Sequence, residues 1–542
     1  MRQEVRRSVS LLALLVVVGL VIVPGGTRAE VRARTRQRTS SPPTAYGPPV
    51  PVTVRGVVAV RETSSPRPAT FGSDRTTWTS RTSPNPTSMP SSASLPSSTF
   101  GFDAIPRIGP SWPGDPTGAV GDDWFFTAVN TSYALYDPTG VASVGPDALG
   151  GLFRLPSGTQ LFDPKVVYDP YDETFVMVYL GLNDRLERSW ILVVTIPNAT
   201  ADDPATWCGS QIDADRTKGD GKQWAEYPGL GFDADRVTIT SNQFDFAGSA
   251  FRSAQILSFP KPRLYDCTQE VTFATFTGND TTDPDGSTAF TIQPATTAGG
   301  SNPRAQFLLS FEDGKPNFVV VWRIKRTTNG VRLARGAVKV ARAPIAPYAT
   351  QGKGSLTNED TWWDPGDLRF VNAFYDADLN RVYSAHVVAK DLKPDPTTKG
   401  YLESAVRWYE VRPAANLKFS DVTRTGIVGT PETDAGWPVL ATDATGDLFV
   451  TYSRASKPLG EFLSAWVAEI DPGSTVADLL ELAPGEARME AVKGVERWGD
   501  YNGISRDPVA GAYVAVVNQY AKSDGGVSTV DWQQTVDAVG GA

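Results

Sequence analysis

From about residue 101 onward the sequence repeats one phrase: a short strand, a turn containing an aspartate, then a longer apolar strand. The units read "DPTGAVGDDWFFTAVN", "DPKVVYDPYDETFVMVYL", "YPGLGFDADRVTITSN", "FLLSFEDGKPNFVVVWRI", "DLRFVNAFYDADLNRVYSAHV", "WPVLATDATGDLFVTYS" and "DYNGISRDPVAGAYVAVVN". Their turn aspartates are Asp122, Asp169, Asp233, Asp313, Asp376, Asp443 and Asp507, spaced 47, 64, 80, 63, 67 and 64 residues apart. The Asp313 unit departs most from the others. A unit of this length, headed by two apolar strands with one or two more behind, suits one blade of a β-propeller. Such a sheet cannot bury both faces alone and does so against its neighbours in a ring. The expectation is an all-β propeller of about seven four-stranded blades over residues 101–542, with six or eight blades compatible. Tandem β-sandwiches would not explain a turn that recurs in the same strand context. Helical periodicity is nearly absent, and "STVADLLELAP" (474–484) is the best short helix candidate.

Two segments precede the body. Arg2, Arg6 and Arg7 lead into "LLALLVVVGLVIV" (11–23), 13 apolar residues and too few for a membrane span of about 20. Thr27 and Ala29 then offer a cleavage site before Glu30, so residues 1–29 read as a signal peptide, with an uncleaved anchor as the alternative. Residues 30–100 are rich in Ser, Thr, Pro and Arg and read as a disordered linker able to hold the body away from a cell envelope. Within it, "VPVTVRGVVAV" (50–60) could form a stray strand. Residues 1–100 carry 13 Lys+Arg against 4 Asp+Glu, whereas residues 101–542 carry 38 against 56. So acidic a body argues against nucleic acid as a partner. The expectation is a secreted or envelope-associated monomer with no membrane span after signal removal.

Cys208 and Cys267 are the chain's two cysteines. In an exported chain such a pair reads as one disulfide, with two buried free thiols as the bland alternative. His386, the one histidine, lies in the strand pattern "NRVYSAHVVAK" and reads as a satisfied strand residue; its solitude removes multi-His zinc sites.

Several segments, in order, resemble a family of large secreted bacterial proteins. They are "DPTGAVGDDWFFTAVNTSYALYDPTG", "DPKVVYDPYDETFVMVYL", "AEYPGLGFDADRVTITSNQF", "AVRWYEVR", "GWPVLATDATGDLFVTYSRAS", "RWGDYNGISRDP" and the closing "DWQQTV", spanning about residues 113–536. Members are described as propeller-like or sialidase-like and have no settled activity. The resemblance therefore implies fold and export rather than chemistry. This chain has "YDPYDETF" where the family often carries an Arg-Trp pair, and its stretch at roughly 280–345 aligns poorly.

In a propeller the innermost strands line a central channel, and ligands sit at a mouth of it. The residues that open each unit should gather there: Asp115, Asp163, Glu226 with Tyr227, Asp364 with Asp367, Trp437, and Arg497 and Trp498 with Asp500. Trp224 and Trp362 should lie nearby. Glycoside hydrolysis needs two carboxylates about 5–9 Å apart, and Asp115, Asp163 and Asp500 are the first catalytic candidates. The competing reading makes each Asp a cap on backbone N–H groups in a tight turn. Arg369, Arg407 and Arg497 could form an arginine cluster, but "SFEDGKPNF" (310–318) is only a distorted echo of a sialidase Asp-box. "NDTTDPDGS" (279–287) offers oxygen ligands that calcium favours, without EF-hand spacing; calcium in the channel mouth is the other place for an ion. The leading functional expectation is an extracellular module binding a glycan or a cell-surface protein. A glycan hydrolase is the alternative, and an ion-stabilised scaffold with no ligand is a weaker third.

Overall fold

The computed structural model describes residues 60–62, 96–108, 113–214, 222–301, 303–312, 317–328, 330–352, 362–392, 402–489, 497–509, 511, 513–525, 528–529 and 531–540. The expected signal peptide and nearly all of the expected linker lie outside these residues. Among the described residues no helix is long and apolar enough to cross a membrane.

The described residues fold into a seven-bladed β-propeller, each blade a four-stranded antiparallel sheet. Blade 1 comprises Thr117–Val120, Phe125–Val129, Ser132–Tyr136 and Ala142–Ala148. Blade 2 comprises Gln160–Asp169, Thr174–Asn183, Arg188–Pro197 and Cys208–Asp213. Blade 3 comprises Gln223–Phe232, Arg236–Asp245, Phe251–Pro260 and Val271–Thr277. Blade 4 comprises Gln293–Ala298, Gln306–Phe311, Phe318–Thr327 and Gly330–Lys339. Blade 5 comprises Ala373–Asp376, Arg381–Lys390, Glu403–Arg412 and Asp421–Val428. Blade 6 comprises Asp434–Thr442, Leu448–Ser456, Glu461–Ile470 and Asp478–Ala483. Blade 7 takes three strands from the end of the chain, Gly503–Arg506, Val514–Lys522 and Asp531–Gly540, and its outer strand, Ser97–Pro106, from near the beginning.

The first strand of each blade packs against the first strand of the next, and blade 7 packs against blade 1, so the ring closes. Blades 4 and 5 go further: Ala295–Ala298 and Ala373–Asp376 pair in parallel register. Side chains also stitch the ring, as where Val120 N donates to Ser505 Oγ and Asn372 bonds Leu440 through both its N–H and C=O.

The recurrent aspartates have a physical reason. Asp169, Asp233, Asp376, Asp443 and Asp507 each accept backbone N–H groups two to four residues ahead, in the turn between a blade's first and second strands. A short carboxylate there replaces the backbone partner that a tight turn lacks. Blade 4 is framed differently from the sequence reading. The Asp313 unit holds its second and third strands, and its first strand is Gln293–Ala298. The turn after that strand, at Gly299 and Gly300 with φ of 72° and 65°, uses glycine where those five blades use aspartate.

Two further expectations change. "STVADLLELAP" supplies the outer strand of blade 6 rather than a helix, because pairing with Glu461–Ile470 outweighs its helical propensity. Residues 97–100, placed in the linker, belong to the closing strand of blade 7. At the end of the expected stray strand, Val60–Glu62 pairs in parallel with Val271–Phe273. Cys208 and Cys267 form a disulfide, Cα–Cα 5.4 Å, tying the outer strand of blade 2 to the segment before the outer strand of blade 3.

Candidate functional site

The heads of the first strands converge at one end of the channel, and their backbones are unusual there. Asp115, Asp163, Tyr227, Thr291 and Trp437 have φ of 50°, 55°, 54°, 51° and 53°. Four of them precede proline: Asp115-Pro116, Asp163-Pro164, Tyr227-Pro228 and Trp437-Pro438. Left-handed backbone costs a non-glycine residue about 1–3 kcal/mol, and a residue before proline normally stays extended. Strand pairing shifts at three of these points, between Phe162 and Lys165, Glu226 and Gly229, and Gly436 and Val439. The bulge kinks each strand head at the same level, so one device recurs around the ring.

The side chains of this level interlock. Asp115 accepts Asp500 N–H at 2.6 Å and Asn130 Nδ2–H at 2.5 Å, tying blade 1 to the lead-in of blade 7. Asn130 Oδ1 in turn accepts Asp163 N–H. Asp163 accepts Tyr227 N–H at 3.1 Å and the Tyr501 hydroxyl at 3.0 Å. Arg497 donates to Asp500 Oδ1 at 2.8 Å, and the Tyr227 hydroxyl donates to Asp500 C=O. Asp500 therefore neither caps its own turn nor stands free; its carboxylate holds Arg497. Lys165 is buried, with Nζ 3.6 Å from the Tyr501 ring centre, and it donates to Val371 C=O just before blade 5, across the channel from blade 2. Tyr227 and Tyr501 pack with ring centres 4.9 Å apart. These groups plug the channel below its mouth.

Nearer the surface, Arg369 chelates Asp367 through both carboxylate oxygens at 2.9 Å and stacks over Tyr227 at 4.4 Å. Asp364 accepts Gly366 N–H, and its C=O accepts the Trp437 indole. The Trp498 indole donates to Ser453. Tyr348, 48% exposed, stands on the rim close enough to Asp364 and Arg497 to feel both charges.

Burial governs the electrostatics. It pushes Asp115 up to about 8, helped by Asp500 and Asp163, and Asp163 up to about 6, helped by Asp500. It pulls Lys165 down to about 7 against the pull of those same acids. Burial likewise raises Glu226 well above the carboxylate range, with Asp163 and Asp500 adding to the effect and Arg497 and Arg369 opposing it. For Arg497 burial disfavours the charge, but Asp500, Asp364 and Asp115 outweigh it and hold the guanidinium protonated. Two buried polar atoms of this cluster, Glu226 Oε2 and Arg497 Nε, have no hydrogen-bond partner among the described residues.

Asp115, Asp163, Glu226, Tyr227, Asp364, Asp367, Trp437, Arg497, Trp498 and Asp500 thus share this end of the channel. Trp224 lies apart, stacked on Phe244 in a separate apolar cluster with Leu182. Arg407 is also apart from Arg369 and Arg497, over Tyr409 and bonded to Ala341 C=O. His386 is fully buried between Leu368 C=O and the Tyr409 hydroxyl, and burial pulls it down to about 4. Sequence reasoning passed over Asn130, Lys165 and Tyr348. Lys165 carried a readable signal, a lysine directly after an Asp-Pro strand head; Asn130 and Tyr348 carried none. In "NDTTDPDGS", Asp285 is closed onto Ser287 of its own turn.

No protein-family model matches the chain, and no curated protein matches it. Among solved structures it is similar to a protein of unknown function from Dyadobacter fermentans, at 11% identity and TM-score 0.35, covering 71% of this chain and 100% of that one. It is also similar to the GH93 alpha-L-arabinofuranosidase of Fusarium graminearum, at 8% identity and TM-score 0.34, covering 81% and 97%. Trypanosoma rangeli sialidase is similar at 11% identity and TM-score 0.35; 78% of this chain aligns with 59% of that one. Likenesses this low carry no weight for chemistry, which rests on the residues above.

Proposed function

We propose that the chain is an exported propeller whose channel mouth binds a glycan without cleaving it. The observation that carries this reading is the pair of unpartnered polar atoms, Glu226 Oε2 and Arg497 Nε, beside a network in which Asp115, Asp163, Asn130, Tyr227, Asp500 and Tyr501 bond one another. A buried polar atom left unpaired costs about 1–3 kcal/mol, and a site retaining two of opposite character calls for a polar guest. A sugar hydroxyl both donates and accepts, and the exposed Tyr348 ring offers a flat apolar face beside it. Asp115 and Asp163 are struts in this reading, because their carboxylates are already filled by hydrogen bonds from neighbouring blades. Export is supported by the basic and apolar N-terminal segment and by a disulfide of the kind that persists in oxidising compartments.

One observation favours the alternative, a glycan hydrolase. Burial, with Asp163 and Asp500 adding to it, pushes the Glu226 carboxyl well above the usual carboxylate range, the direction a general acid needs. The test is a screen of the full chain against soluble polysaccharides that reads both retention and release of reducing ends. Retention without release is expected. Release that falls by about 100-fold or more in Glu226→Gln would establish the hydrolase instead.

A further inference from the structure

A second cluster of acids lies at the opposite end of blade 6 from the mouth. Asp447 ends the turn after the first strand, Glu469 is near the end of the third strand, and Asp471 follows that strand. One carboxylate oxygen from each lies within 4.8 Å of the other two. We propose that Asp447, Glu469 and Asp471 bind one calcium ion that fastens the end of blade 6.

Glu469 carries the argument beyond a mere gathering of acids. It is 4% exposed, and its Oε2 has no hydrogen-bond partner among the described residues. Asp478 stands directly opposite it in the sheet, and like charges so placed repel. Burial, with Asp447, Asp471, Asp443 and Asp478 adding to it, pushes Glu469 up to about 7. Arg424, a base of the same region, reaches Asp471 only through its C=O and gives Nε and Nη2 to Glu410. Asp443 is filled by its own turn, accepting Thr445, Gly446 and Asp447 N–H groups, which fixes where Asp447 stands. Three hard carboxylate oxygens, one buried and one exposed, leave the solvent side open for waters. That suits the irregular, six- to eight-fold coordination of calcium better than the strict octahedron of magnesium.

Calorimetric titration of calcium chloride into the chelator-treated full chain at pH 8 tests this. One saturable site is expected, with a Kd of about 1 mM or below, weaker binding of magnesium, and a higher melting temperature with calcium. Glu469→Gln and Asp447→Asn should each abolish binding. With chelator, Glu469→Gln should melt no lower than the wild type, since it removes repulsion; Asp447→Asn keeps the test open if that variant folds poorly. Absence of saturable heat up to about 10 mM calcium, ten times the expected ceiling, or binding unaffected by both substitutions, would overturn the proposal.

Discussion

Asp115 accepts two hydrogen bonds and is still held mostly protonated near neutrality, because it is buried beside two other acids. The consequence for stability follows from linkage. A carboxyl whose folded pKa is raised binds more protons folded than unfolded, so its contribution is full below the unfolded value near 4 and is lost as pH rises towards 8. Lys165 acts oppositely: pulled down to about 7, it binds fewer protons folded and favours folding as pH rises from about 7 towards 10. Urea midpoints should therefore fall between pH 5 and 8, and Asp115→Asn should flatten that fall; an unchanged slope in the variant would remove Asp115 as its source. Trp498 sits fully buried in the core cluster beneath the mouth, so Trp498→Ala should lose about 3–5 kcal/mol of unfolding free energy. At this scale the sequence was readable where each polar strand head announced itself, as in Asp115-Pro116 and Asp163-Pro164. It did not show that these residues adopt left-handed backbone. It also did not show that Asp115 pairs with a residue 385 positions away, because no local pattern encodes a contact across the ring closure.

At the scale of elements, Ser97–Pro106 matters most, since it closes blade 7 and with it the ring. A chain starting at residue 107 leaves Asp531–Gly540 as an open edge. It should lose cooperative melting and be cut by protease within blade 7, whereas a chain starting at residue 90, which keeps the closing strand and lacks only the Val60–Glu62 pairing at the edge of blade 3, should still melt cooperatively. Reduction of Cys208–Cys267, which closes a span of 59 residues, should lower stability by about 2–4 kcal/mol, seen as a lower urea midpoint in dithiothreitol. The turn aspartates made most blades legible because the same Asx-type bond recurs in the first hairpin of blades 2, 3, 5, 6 and 7. Blade 4 was misframed because its first hairpin turns on Gly299 and Gly300, leaving no acidic mark, and the next Asp-Gly dipeptide falls one hairpin later. The closing strand was hidden by its setting: a short run at the end of a Ser/Pro-rich stretch, whose partner comes from the other end of the chain.

For the whole molecule, the ring brings the heads of seven strands to one level, and what stands there is a polar mouth over a plugged channel. Lys165, Tyr227 and Tyr501 make the floor; Arg369, Arg497, Asp367 and Tyr348 make the rim. In the proposed function this rim holds the ligand. The direct measurement is calorimetric titration of the best-retained oligosaccharide from the screen into the wild type and into Tyr348→Ala. Tyr348 is exposed, so its removal leaves the fold intact and the melting temperature unchanged. The account predicts a loss of affinity of about tenfold or more, equivalent to at least about 1.4 kcal/mol. Equal affinity in the two proteins would contradict it.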